Sequence, residues 1–417
     1  MTRALAHDLR RKLDELELAL FTGGGLSSGD VTAAAGPLAD RIGDAARERV
    51  RALSEAAAFG KDAYRAKFGV CGVRPFESAS GVRIYLLPIE TLPNHVNNVY
   101  LVLSPAHTPL LYDAGSGIGR TREDFARTAR VLAEVYEERD VLDRVRDVVV
   151  SHGHIDHFGG VGSWQKRGAR LWVHEHDLRV LTNFAERIIV STLAVRAFWR
   201  HAGVPEAERA EMEQMYVGGK NFFQPVPVEH VLTDRARVYD YTVHHTPGHC
   251  PGQICLQIDN VLLTADHVLP RITPHQSPES ITASTGLDHY LEALDKVRRI
   301  GGIDLALPGH EEPIERLYQR ITEIETFHRR RLEKVRLLCA VQAQTVRDIA
   351  LALFGPREGY DRILALQEAA AHVEYLARRG ILEIENVEAL LRERDPVLHY
   401  RAAGGASTLA PSSPEAA

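Results

Sequence analysis

SHGHIDHFGG, residues 151–160, follows the apolar run DVVV (147–150) and places His152, His154, Asp156 and His157 within six positions. A short apolar run bounded by turn residues reads as a buried strand. The histidines therefore sit on the loop where that strand ends. Imidazole and carboxylate are the side chains that divalent transition metals take as ligands. His152 and His154, two apart on an extended segment, point to one side and can share one ion. Asp156 and His157 then turn towards a second.

Working outward, further runs of the same kind appear. VRIYLLPI (82–89), NVYLVL (98–103), LLYD ending at Asp113 and ARLWVH (169–174) lie on the N-terminal side or just beyond, with one helix over about 121–139. ARVYDYTVHH (236–245), QICLQI (253–258), VLLTAD (261–266) and DLALPGH (304–310) make a second set. Strands mixed with helices in this way predict two sheets with helices outside, an α/β layered fold. The later runs end in the same chemistry: HTPGH brings His249, VLLTAD brings Asp266 and DLALPGH brings His310. Loops at the ends of rigid strands are where function concentrates.

The flanks differ. Leu5, Leu9, Leu13, Leu16 and Leu20 mark an amphipathic helix over 3–20, and a second helical pattern runs over about 38–68. Residues 1–80 are expected to form a helical extension packed on the main body or on another subunit. A helical insertion over about 175–225 carries Phe198, Trp199, Met212, Met215, Tyr216, Phe222 and Phe223. After 313 the pattern is helical again, over about 314–340, 345–354 and 363–380, followed by ILEIEN. Three helices and a short strand pair predict a winged-helix-like unit over 314–400. The small, polar residues 401–417 are expected to be disordered.

Composition sets outer limits. The chain has 417 residues, 45% hydrophobic and 25% charged, with a formal net charge of −6. That balance gives no global attraction to nucleic acid or anionic membrane. The four cysteines form no C-x-x-C and no paired framework. No apolar run approaches the roughly 18–20 residues of a membrane span, and the N-terminal stretch lacks a signal-peptide core. A cytoplasmic location is the expectation.

The strand-end set resembles the metallo-β-lactamase superfamily in its dinuclear hydrolase form, over about residues 82–313. The resemblance implies a four-layer αββα sandwich for a catalytic domain at 81–313. Carried over by motif, His152, His154 and His249 correspond to first-metal ligands. Asp156, His157 and His310 correspond to second-metal ligands, and Asp266 to the bridging carboxylate, with Asp156 also orienting the nucleophile. Two divalent ions are implied, zinc in first place, with iron or manganese as the alternatives at the carboxylate-rich side. A hydroxide bridging them would be the nucleophile.

Departures from relatives narrow the chemistry. True β-lactamases of the superfamily have Cys or Ser where Asp266 stands. Flavodiiron proteins have a carboxylate where Gly153 stands, and quorum-signal lactonases a Tyr where Leu269 stands. The insertion, VLPRITPHQSPES (268–280) and the C-terminal segment together resemble the glyoxalase-II-like and β-lactamase-like protein 2 group. The reaction this implies is hydrolysis of acyl thioesters of CoA, carrier-protein or glutathione type. The alternatives are an endoribonuclease or phosphodiesterase, and a lactone or ester hydrolase.

A small acyl substrate is the expected partner. Nucleic acid is not, because residues 315–400 carry equal numbers of basic and acidic side chains. That segment reads instead as a lid support or a homodimer contact. His174 and His176 in WVHEHD are expected at the surface or a pocket edge. Cys250 has no base partner for nucleophilic chemistry, and Asp113 resembles a structural turn beside the site.

Overall fold

The computed structural model describes residues 2–23, 25–218 and 223–404. Four helices come first: α1 (Thr2–Phe21), α2 (Ser28–Ile42), α3 (Asp44–Phe59) and α4 (Asp62–Phe68). Leu9, Leu13, Leu16 and Leu20 are buried along one face of α1, against Val31, Ala35 and Leu53 of α2 and α3. Ser27 and Asp30 form a reciprocal capping box that starts α2. The helical pattern expected over 38–68 is broken twice, at Gly43 and Gly60. At Gly43 the backbone takes φ +139°, a conformation L side chains rarely adopt.

Buried charge ties the helical extension to the sandwich. Glu17, fully buried on α1, accepts the Cys71 backbone N–H at 2.5 Å and also pairs with Arg49 and Tyr64. His7 meets Glu90 at 2.5 Å, and Arg127 pairs with Asp14.

The first sheet has seven strands in sequence order: β1 (Arg74–Glu77), β2 (Arg83–Leu92), β3 (His95–Leu103), β4 (Leu110–Tyr112), β5 (Asp147–Val149), β6 (Arg170–His174) and β7 (His230–Leu232). β1 to β4 pair antiparallel and β4 to β7 parallel. Helices α5 (Thr121–Val135), α6 (Ile155–Phe158), α7 (Val161–Gln165), α8 (Leu178–Thr182), α9 (Phe184–His201) and α10 (Glu206–Gly218) lie along this half of the chain. β1 and β7 were not anticipated: each is short, and β7 (HVL) offers too few residues to show a period.

The second sheet runs β12–β11–β10–β9–β8, where β8 is Arg237–Val238, β9 Tyr241–His245, β10 Ile254–Ile258, β11 Val261–Ala265 and β12 Leu305–Pro308. Only β11 and β12 pair parallel there. The run expected as one strand over 236–245 is a hairpin, because the chain turns at Tyr239, which sits at φ +56°.

Side-chain alternation builds the layers. On β2 and β3, Ile84, Leu86, Tyr100 and Val102 face inward and meet Val243, Ile254, Leu256, Leu263 and Leu307 of the second sheet. Tyr85, Leu87, Ile89, Val99 and Leu101 face outward, against Val131 and Leu132 of α5, Phe158 and Trp164. Cys255, Leu262 and Ala306 cover the outer face of the second sheet. Above them lie α11 (Leu287–Arg298), α12 (Leu317–Val341), α13 (Val346–Phe354) and α14 (Gly359–Arg378). The order is helix, sheet, sheet, helix. A fully buried Leu or Ile in the inter-sheet layer contributes about 1.5–3 kcal/mol.

The chain ends with β13 (Leu382–Ile384), α15 (Ala389–Arg392) and β14 (Tyr400–Ala402). β13 and β14 pair antiparallel, so Arg401 and Ala402, expected in a disordered tail, belong to a strand. The rest of that expected tail, 405–417, and Phe222 lie outside the described residues. No helix among the described residues is long and apolar enough to cross a membrane.

Candidate metal centre

Every candidate ligand leaves the sandwich at one edge. His152, His154, Asp156 and His157 follow β5, His249 follows β9, Asp266 follows β11 and His310 follows β12. Ala265, at φ +43° and beside a register shift between β11 and β12, bends the chain so that Asp266 turns out of the sheet. Gly309 is required by close approach: a Cβ there would lie 2.4 Å from Asp266 Oδ1 and 2.9 Å from His157 Cε1.

The structure brings all seven side chains together. His152 Nε2 lies 3.0 Å from His154 Nδ1, and His152, His154 and His249 offer nitrogens within 4.8 Å of one another. Asp266 Oδ1 is 3.5 Å from His157 Nε2. Its Oδ2 is 3.6 Å from His249 Nε2 and 3.4 Å from His310 Nε2. Asp156 Oδ2 is 3.5 Å from His157 Nε2 and 3.6 Å from His310 Nε2. Asp266 thus stands between an imidazole trio and a mixed carboxylate–imidazole group.

Outer partners fix which nitrogen faces inward. His157 Nδ1 donates to Asp113 Oδ2 at 2.8 Å, His249 Nδ1 to the His275 carbonyl at 2.7 Å, and His310 Nδ1 to the Val96 carbonyl at 2.9 Å. The Nε2 atoms of these three are therefore free to carry lone pairs into the site. His249 Nε2 and Asp266 Oδ1 are buried and make no hydrogen bond. Unpaired buried donors and acceptors are costly, and convergent ones fit a cation.

Electrostatics differs across the site. Burial pushes His154 and His249 down to about 4, and burial with the neighbouring imidazoles takes His152 well below its ordinary value. On the other side burial alone would neutralise Asp156, yet His157 above all holds it well below the usual carboxylate range. Asp266 is held low against burial by His310 and His157. His157, with Asp266, Asp156 and Asp113 around it, is raised well above an ordinary histidine despite burial. His310 is raised by Asp266 in the same way.

Four contributors were not read from the sequence as part of the site. Asp113 accepts from Ser151 N at 2.7 Å and Ser151 Oγ at 2.8 Å besides His157, which makes its turn a working support. Asn97 donates to Asp156 Oδ2 at 3.1 Å, and His95 Nε2 does so from the rim at the same distance. Asp177 is buried and joins two ligand loops by accepting the Gly153 N–H at 2.7 Å beside Cys250 Sγ at 3.4 Å. The sequence marks Asp113 only as a structural turn beside the site; nothing local marks the others.

One expectation needs correction. His174 is not a surface residue: it is buried and stacks on His245, with ring centroids 3.8 Å apart and planes 15° off parallel. His176 completes that group, whose ring nitrogens lie within 4.8 Å of one another, but His174 Nδ1 accepts the His176 backbone N–H at 3.3 Å and His245 Nε2 donates to the Pro251 carbonyl at 2.8 Å. Phe198, Trp199, Met212 and Tyr216 pack into the core beneath the outer helices. Phe223 instead packs edge-on to Phe158, next to His157.

Comparison with known proteins shows the family. The family model described as "Metallo-beta-lactamase superfamily" matches residues 92–338, more than half of the chain. The chain belongs to the metallo-beta-lactamase superfamily, whose members are metallo-hydrolases, typically with two metal ions. It is similar to a metallo-beta-lactamase family protein from Thermus thermophilus, with 26% identity and a TM-score of 0.60 over 77% of this chain and 98% of that one. It is also similar to a beta-lactamase domain protein from Burkholderia ambifaria, with 25% identity and a TM-score of 0.62 over 79% of this chain and 94% of that one. No curated protein matches.

Proposed function

We propose that the protein is a dinuclear metal-dependent hydrolase of acyl thioesters, acting in the cytoplasm. The observation that supports the metal reading is the convergence of seven ligand-type side chains, five of them buried and two with unpaired atoms aimed at the same space. His152, His154 and His249 would hold one ion; Asp156, His157 and His310 the second; Asp266 both. Zinc suits the imidazole trio, and iron or manganese is also compatible with the carboxylate side. Bound there, two such ions polarise a carbonyl oxygen and make water nucleophilic near neutral pH.

The chain's own groups do the rest. Asp156, held as an anion and fixed by Asn97 and His95, can accept and pass on a proton. Asp113, Val96 and His275 hold the Nδ1–H of His157, His310 and His249, which leaves Nε2 as the atom that faces the site. Phe158, Phe184 and Phe223, in mutual edge contact beside His157, limit water on that flank.

The substrate class rests on a groove of about 870 Å³ that begins at the loop between Asp266 and His310. Arg271 at its mouth donates its backbone N–H to Glu311, the residue after His310, at 3.0 Å. Ile272 and Phe327 are exposed along it and Arg330 lines it, while Arg320 is held by the Leu269 and Ile272 carbonyls and by Glu323. Apolar surface interleaved with arginine suits a thiol carrier bearing anionic groups. A nucleic-acid path is less well served. Of the RRR stretch at 329–331, Arg331 is turned inward onto Glu368 at 2.5 Å. The winged-helix-like segment over 314–400 is then a support for the catalytic domain at 81–313.

Thiol release from acyl-CoA, acyl-carrier and glutathione thioesters tests the reading. Release that a chelator abolishes and added Zn²⁺ restores is the expected result. No release from protein carrying two ions per chain would reject thioesters and favour single-stranded RNA or lactones.

A further inference from the structure

One peptide plane links the candidate metal centre to the C-terminal helices. The carbonyl of His275 accepts the Nδ1–H of His249 at 2.7 Å. The N–H of the next residue, Gln276, belongs to the same peptide unit. It donates to Glu368 Oε2, in the middle of α14, at 2.8 Å. A peptide unit is rigid and planar, and in the trans form its C=O and N–H point in opposite directions. Gripping the N–H therefore sets the direction of the carbonyl.

Glu368 is well placed to grip. It is 7% exposed, and its other oxygen is held by Arg331. A hydrogen bond from a buried backbone N–H to an ionised carboxylate is among the stronger kinds. The helix also holds the residue on the near side: His275 Nε2 donates to Gln367 Oε1 at 3.1 Å. Further along, Glu374 accepts the N–H groups of Glu279 at 2.7 Å and Ser280 at 3.2 Å. The carboxylates of α14 that face this loop are bound to its backbone.

We propose that Glu368 is a positioning residue for His249, acting through the His275–Gln276 peptide, so that α14 is a working part of the metal centre. By fixing the carbonyl it fixes the Nδ1–H tautomer of His249 and the aim of Nε2. Partners of this kind typically change metal affinity by about 10–100-fold when removed. The inference rests on the metallo-hydrolase reading above.

The test uses the full chain and two probes, Zn²⁺ in competition with a chromophoric chelator and the visible spectrum of Co²⁺-loaded protein. Glu368→Ala is expected to weaken one of two Zn²⁺ equivalents by about 10–100-fold and to alter the Co²⁺ bands. Glu368→Gln, which keeps an acceptor but not the charge, should shift both in the same direction by less, and it decides the matter if the alanine variant does not fold. Ile349→Ala serves as the comparator. Ile349 is fully buried in α13 and is not hydrogen-bonded to the loop through its side chain, so its truncation should lower the melting temperature with metal affinity unchanged. Unchanged Zn²⁺ affinity and Co²⁺ bands in both Glu368 variants overturn the inference, as does an equal loss in Ile349→Ala. Wild-type protein that binds no Zn²⁺ overturns the metal reading itself, which the variants leave standing in the other two cases.

Discussion

The two halves of the candidate centre are built from the same residue type and behave oppositely. His154 and His249 are pushed down to about 4 by burial, while His157 and His310 are pushed up. Three of the four are buried and His154 is half-buried. The difference lies in their neighbours. In the first trio burial and the neighbouring imidazoles outweigh the pull of Asp266 and, at His154, of Asp156, and the rings keep neutral lone pairs. The second group faces Asp156, Asp266 and, behind His157, Asp113, so positive charge there is stabilised. A half that already offers neutral nitrogens should take a soft, imidazole-preferring ion. A half that concentrates anionic oxygen should be the more permissive in metal and the more sensitive to loss of charge.

Asp266 belongs to both halves, so its removal is the largest test of the contrast. Asp266→Ala is expected to lose bound metal from both positions and to lower kcat/KM by on the order of 10³-fold or more. Metal analysis on the same sample checks it. Two retained equivalents with full activity would place the centre elsewhere.

Single-side variants should then separate the halves. His249→Ala is expected to lose the ion on the imidazole side, and His310→Ala the ion on the carboxylate side, each costing about 10²-fold in activity. If the contrast holds, Mn²⁺ should restore more activity to wild-type protein stripped of its carboxylate-side ion than to His249→Ala. Equal rescue would mean that the two halves do not differ in metal preference.

How much of this was legible depends on distance along the chain. The strand-end motifs announce His152, His154, Asp156, His157, His249, Asp266 and His310, because each follows an apolar run and the sandwich gathers strand ends at one edge. The alternation that separates Ile84 and Leu86 from Tyr85 and Leu87 is visible in VRIYLLPI, and so are the layers it builds. The supports were hidden. His95 and Asn97 reach Asp156 across 61 and 59 residues, and Glu368 reaches Gln276 across 92. A carboxylate that binds a distant backbone N–H looks, in sequence, like any surface acid on a helix. Glu368 and Glu374 enter the sequence only as acids that balance the basic residues of 315–400, whereas in the structure they bind the backbone of the loop at 276–280.

The effect of burial beside other imidazoles can be tested outside the centre. His174 is lowered to about 3 by burial, then by His245 and His176. The sign comes from linkage: an unfolded histidine near 6.5 binds a proton that the folded one refuses, so stability is full above pH 6.5 and falls as pH drops towards 3. Between pH 7 and pH 5 the loss from this one group is about 2 kcal/mol. Urea midpoints across that range should slope less in His174→Phe than in wild type. Parallel slopes would show that His174 does not titrate as its burial demands, and would weaken the same argument for His154 and His249.

Asn97 gives the finest cut between the halves, because it touches only the carboxylate side. Its amide donates to Asp156 Oδ2 and lies 3.1 Å from His157 Nε2. Thr91 Oγ1 donates to its carbonyl oxygen at 2.6 Å and so fixes which end of the amide faces inward. Asn97→Ala should free Asp156 to rotate without removing a ligand. The expected result is about a tenfold loss in affinity for the second Zn²⁺ equivalent, with the first unchanged. Thr91→Val, which removes the hydroxyl that orients the amide, should produce part of that loss. If Asn97→Ala weakens both equivalents alike, the halves share one support network and the contrast between them is electrostatic only. A loss confined to the second equivalent means that each half is also held by its own framework: Asn97 and Thr91 on one side, His275 on the other.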